Sequence, residues 1–145
     1  GRRSRLVAYL REELQIVESI DMDVTFLEQG GLAILEAYCL KEKIDIVESE
    51  VHKILKNTLD SIPSKQEIER AHKIVKNGLC FNLEAPSQVA ALAGSQVLWN
   101  RPQQLLEPLT HIDYWTETKL QEEIFILVQP ELACTLIAKP FEGKE

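Results

Sequence analysis

The sequence is short of cysteine, of positive charge and of long apolar runs, and each shortage removes a class of protein. Its three cysteines, Cys39, Cys80 and Cys134, stand far apart with no C-x-x-C pair. Reduced thiols in a cytoplasmic setting are therefore expected rather than a disulfide framework. Sixteen Lys and Arg face 23 Asp and Glu, a formal charge of −7. Phosphate binding needs clustered cations that release counterions, and the only dense basic pair is Arg2-Arg3. No nucleic-acid partner is expected. The longest apolar run, Ile124 to Val128, falls far below the ~18 to 20 residues of a membrane helix, so no membrane partner is expected either.

Catalytic signatures are missing as well. Neither H-E-x-x-H nor H-x-x-E-H occurs, and His52 and His72, in predicted helices, have no second ligand at i+4 on the same face. His111 has Asp113 two residues on, which by itself makes neither a metal site nor a general base. There is no G-x-S-x-G, no phosphate loop and no G-x-G-x-x-G; Gly30-Gly31 reads as a turn. Glu12, Glu13, Glu122 and Glu123 fall on polar helix faces, where solvation explains them. Trp99, Tyr114 and Trp115 lie beside helix ends, as core or rim aromatics do. The catalytic and metal sets read from this chain are both empty.

What is present is a folded-protein pattern of 145 residues, 45% hydrophobic and 27% charged, the size of a single domain. The start, GRRSRL, has no Met, and the chain reads as a piece of something longer. Ser4 can cap a helix carrying Leu6, Val7, Leu10 and Leu14 that ends near Gln15. Ile20, Met22, Val24 and Phe26 alternate with polar residues, the period of a half-buried strand. A turn over Glu28 to Gly31 leads into GLAILEAYCL, a second strand whose continuous apolar character predicts deeper burial.

Helices follow. Asp45 and Glu48 suit the start of one bearing Val47, Val51, Ile54, Leu55 and Leu59. Ser64 and Glu67 form a capping box for the next, in which Gly78 predicts a bend or a close packing contact. The Ala, Gly and Ser of SQVAALAGSQVLW predict an inner helix. Pro102 opens a short helix, Thr116 caps a further one, and LACTLIA before Pro140 predicts a last strand. The expected class is α+β, an antiparallel hairpin and a C-terminal strand in one sheet against five or six helices. Three strands are few for so many helices, so an open edge and self-association into a homodimer are expected.

In their order, SRLVAYLRE, the hairpin, PSKQEIERA, the segment from Pro102 to Thr116, and PELACTLIAKP resemble the C-terminal, non-zinc portion of the pitrilysin or insulinase family of zinc metallopeptidases, with mitochondrial-processing-peptidase-like proteins among them. The resemblance covers nearly the whole chain, residues 1–145 as one truncated C-terminal-type domain. It implies paired α+β domains enclosing a peptide-sized chamber, with zinc held in the N-terminal domain and none in this portion. The expected partners are a peptide substrate and a zinc-binding N-terminal domain or partner subunit. In the family an arginine and, seven residues later, a tyrosine hold the peptide carbonyl; Arg11 falls on the arginine, and Glu18 occupies the tyrosine position. The glycine that precedes the tyrosine is Gln15 or Ile16 here. A phenol donates to a developing oxyanion whereas a carboxylate only accepts, so the resemblance implies substrate binding by Arg11 and no catalytic residue. A catalytically inactive assembly subunit is the alternative it implies.

Overall fold

A computed structural model describes residues 3–27, 29–100 and 106–140. The fold is α+β. Strands β1 (Ser19–Leu27) and β2 (Gly30–Tyr38) form a two-stranded antiparallel sheet, and helices α1 (Ile44–Asp60), α2 (Lys65–Glu84), α3 (Pro86–Leu98), α4 (Glu107–His111) and α5 (Glu117–Lys119) follow. The chain divides into two compact units, residues 1–61 with 125–145, and residues 62–124.

The first unit opens with a π-helix, Val7–Glu13, whose first turn is closed by the Ser4 side chain accepting the Val7 N–H at 3.4 Å. The wide turns follow from bonds that reach five and six residues back, Leu14 N–H to the Tyr9 carbonyl at 2.8 Å and Ile16 N–H to the Leu10 carbonyl at 3.1 Å. A π-turn takes more residues than an α-turn, so Leu14 rotates off the Leu10 face. Leu10 is fully buried, while Leu14 is 37% exposed. Val7, Leu10, Val17, Ile20, Val47 and Val51 form the core, with Leu6, Tyr9, Ile16, Leu35, Cys39, Ile54 and Leu55 packed around it. Each such burial contributes roughly 1.5 to 3 kcal/mol before entropy is counted.

The helix stops at Gln15, which takes φ 51°. This left-handed residue turns the chain toward β1, as glycine does at many helix ends. A side chain with a Cβ is strained there by about 1 kcal/mol. Gln15→Gly is expected to raise stability by about 0.5 kcal/mol after the added freedom of the unfolded chain is subtracted, and Gln15→Val to lower it. Paired urea titrations read the order; Val at or above Gly would mean that position 15 is not held left-handed.

The hairpin forms in the register Ile20 with Ala37, Met22 with Leu35 and Val24 with Ala33. Its burial departs from the expectation. Among the described side chains only Ile20 of β1 is buried, and every one of β2 is exposed except the half-buried Leu35. A continuous apolar run predicts cover on both faces, but burial depends on what packs there, and the described residues supply cover near Ile20 and Leu35 alone. The C-terminal strand is a second correction. Pro130, buried, opens a 3₁₀ turn to Leu132, and residues 133–140 join no sheet, so LACTLIA is unpaired. Thr and Ile give β-propensity, yet a strand exists only with a ladder partner. The 3₁₀ turn is tied to α1 by the Lys56–Glu131 ion pair.

A third departure lies at the start of α1, where the N-cap is Lys43 with no side-chain cap bond, because a 3₁₀ turn at Lys41–Lys43 already feeds the helix. The capping box of the second unit forms as read: Ser64 accepts the Glu67 N–H at 3.3 Å and Glu67 accepts the Ser64 N–H at 2.9 Å. Helix α2 runs through Gly78 without ending, and a Cβ there would meet nothing within 4 Å, so this glycine makes no close packing contact. α3 is no inner helix. None of its residues is buried, and Val97 is 81% exposed, since its small side chains have little to reach beyond α2. The predicted start of a helix at Pro102 lies outside the described residues.

Candidate functional site

Arg11 stands on the last turn of the π-helix, exposed. Cations suit that end, where free carbonyls gather negative charge. Lys43 adds a second, its Nζ donating to the Gln15 carbonyl at 3.1 Å. Glu18, also exposed, lies past the turn, and its N–H donates to the Tyr38 carbonyl at 2.7 Å just ahead of the β ladder. Among the described residues neither Arg11 nor Glu18 has a side-chain hydrogen bond or ion pair, so the sequence-predicted pair is not brought together as a pair. Tyr38, opposite Ser19 in the ladder and 63% exposed, is a phenol that sequence reasoning passed over. Its only signal was an aromatic closing a strand.

The second unit holds a different cluster. Lys65, Ile68, Glu69, His72, Asp113, Trp115, Thr116 and Glu117 line an open cleft of about 210 Å³. Lys76 donates to both Asp113 carboxylate oxygens, at 2.8 and 3.1 Å, and His72 Nδ1 lies 3.8 Å from Asp113 Oδ1. His72 Nε2 is 3.1 Å from the Trp115 carbonyl. A carbonyl only accepts, so that nitrogen carries the proton and cannot act as a base through this face. Thr116 Oγ1 accepts the Lys119 N–H at 3.4 Å as a helix cap. Tyr114 meets Trp115 edge-on at 5.3 Å, and the Lys119 ammonium lies 3.2 Å from the Tyr114 ring centre.

Lys76 and His72 thus tie α2 to Asp113 and the Trp115 carbonyl. It is a clamp. His72 and Lys76 stand one turn apart on α2, a spacing that carries no sign that Asp113 would join them.

The hydrogen bond from Lys76, helped by its charge and that of His72, holds the Asp113 carboxyl below its ordinary 3.8. A depressed carboxylate contributes stability that is fully present above 3.8 and lost as pH falls through the lower folded value. A Lys76→Met, Asp113→Asn double-mutant cycle is therefore expected to show favourable coupling at neutral pH, weaker in high salt, and none in strong acid. Coupling that persists in strong acid would assign it to something other than the ion pair.

Among the described residues no three His, Cys, Asp or Glu side chains group to hold a metal ion, and no described helix is long and apolar enough to cross a membrane. The family resemblance implies zinc in an N-terminal domain and none in this portion; in the cluster here His72 is turned to a carbonyl and Asp113 is held by a lysine. No protein-family model matches the chain, and no curated protein matches it.

Proposed function

We propose that this chain is the non-zinc, C-terminal portion of a pitrilysin-like peptidase of the cytoplasm, and that it walls the chamber, grips extended peptide and docks on a companion domain that holds zinc. The observation that carries this reading is Arg11, exposed and unpaired at the end of a helix whose core side feeds straight into a hairpin with open edges. A guanidinium offers five donors and no acceptor, which suits the carbonyls of a peptide. Gln15 supports the reading too. Its left-handed φ is the backbone state that a glycine serves, at one of the two positions where the resemblance expects glycine. Three free thiols accord with a reducing compartment.

A second reading, a catalytically silent subunit that scaffolds an assembly, is favoured by Glu18, because a carboxylate cannot donate to an oxyanion. The full-length protein decides between them. Cleavage of an unstructured peptide that a chelator stops is expected, and absent or chelator-insensitive cleavage would overturn the peptidase reading. The 145-residue chain alone is expected to retain no stoichiometric zinc after dialysis.

A further inference from the structure

Gly78 has no packing reason to be glycine. Helix α2 runs through it, its φ is not left-handed, and a Cβ there would meet nothing within 4 Å. Relative to alanine such a residue lowers the helical equilibrium by about fivefold. The residue before it is Asn77, exposed on α2. The asparagines Asn57, Asn77, Asn82 and Asn100 are followed by Thr58, Gly78, Leu83 and Arg101, so Asn77 alone has a next nitrogen that no side chain shields. We propose that Asn77–Gly78 is a self-modification site, with water as the reactant and the opening of α2 as its gate. The proposal does not rest on the peptidase reading.

The chemistry needs no enzyme. The Gly78 backbone nitrogen, giving its proton to hydroxide, attacks the side-chain carbonyl carbon of Asn77; a C–N bond forms, the bond to the side-chain nitrogen breaks, and ammonia leaves. Water then opens the cyclic imide. Cleavage of the new bond yields aspartate, and cleavage of the old peptide bond yields isoaspartate, so one amide and one water become one carboxylate and one ammonium with nothing oxidised.

Intact α2 withholds both requirements. Its N–H groups are donated to carbonyls four residues back, and the ring needs a ψ at the asparagine far from the helical value of about −42°. Reaction therefore waits for local opening, which the unsupported glycine makes easier. The isoaspartate product lengthens the main chain by a methylene just after Lys76, whose ammonium holds both Asp113 oxygens at 2.8 and 3.1 Å. Residues 78–84 then lose hydrogen-bond register with the turns that carry His72 and Lys76.

Peptide mass spectrometry of the 145-residue chain, incubated in plain buffer and in guanidinium chloride, tests this. In denaturant Asn77 is expected to convert ahead of the other asparagines, and Gly78→Ala to slow it. In the fold conversion should be slower by about tenfold or more. Ala71→Gly, an exposed change elsewhere on α2, leaves the reacting atoms alone and should speed the folded reaction by about fivefold while leaving the denatured rate unchanged. Asn77→Asp should keep the far-ultraviolet dichroism of wild type, whereas the isoaspartate form should lose part of it. Conversion led by Asn57, Asn82 or Asn100 in denaturant would remove the site. Equal folded and denatured rates, or an Ala71→Gly variant no faster than wild type in the fold, would remove the gate, and isoaspartate with unchanged dichroism would refute the break in α2.

Discussion

Leu10→Ala is expected to destabilise the first unit by about 2 to 5 kcal/mol, the range for emptying a core leucine site. Leu10 is the one large side chain that is fully buried among the described residues. It sits where the π-helix, the start of β1 and α1 converge, with Val7, Val17, Ile20, Val47 and Val51 around it. Four of those five neighbours are valines, β-branched and stiff at χ1, so they fill a cavity poorly by changing rotamer. The loss therefore includes a cavity contribution on top of transfer. A small domain holds only about 5 to 15 kcal/mol in total, so the variant should be partly unfolded near physiological temperature. Leu136→Ala, at a site 92% exposed, is the matched control and should stay within about 0.5 kcal/mol of wild type. Urea midpoints at constant slope measure both. A Leu10→Ala loss below about 1 kcal/mol would mean that the site collapses onto itself or that the π-helix is not part of the cooperative core.

How much of this arrangement was legible in the sequence depends on how local each cause is. The hairpin register follows from alternation at Ile20, Met22 and Val24, and the Ser64–Glu67 capping box forms because its two partners are three residues apart. Those causes act within one turn or one strand. The burial of β2 and α3 is not legible, because apolar composition states a capacity to be covered and the cover must come from elsewhere. LACTLIA shows the same limit, since a strand needs a partner edge and propensity supplies none. The π-turn at Val7–Glu13 escaped because its apolar spacing also suits an α-helix; the displaced Leu14 is visible only in three dimensions. The clamp of His72, Lys76 and Asp113 escaped for a different reason, as it joins residues 37 positions apart that form no motif. Arg11 stands at a helix end, and the pairing with position 18 that the resemblance implies has no counterpart in hydrogen bonds here.

On the peptidase reading proposed above, Arg11→Ala is expected to weaken peptide capture by about 10- to 100-fold while leaving the unfolding midpoint within about 0.5 kcal/mol of wild type. Arg11 is exposed and engages no partner among the described residues, so removing it costs the fold little. A hydrogen bond from a charged donor is worth about 1.5 to 3 kcal/mol where it meets a desolvated acceptor, and one tenfold step is 1.36 kcal/mol, which sets the range. Arg11→Lys should recover only part of the loss, because a point ammonium does not reproduce the planar fork that can hold two acceptors. Charge at position 18 gives the sign test. Glu18 accepts and cannot donate, so it repels a peptide carbonyl; Glu18→Gln is expected to strengthen capture, and Tyr38→Phe to weaken it if that phenol shares the peptide. Peptide affinity by calorimetry, read beside the urea midpoint, separates the outcomes. Equal affinity for Arg11→Ala and wild type would remove Arg11 from the substrate surface, and a lowered midpoint would make it a structural residue of the helix end.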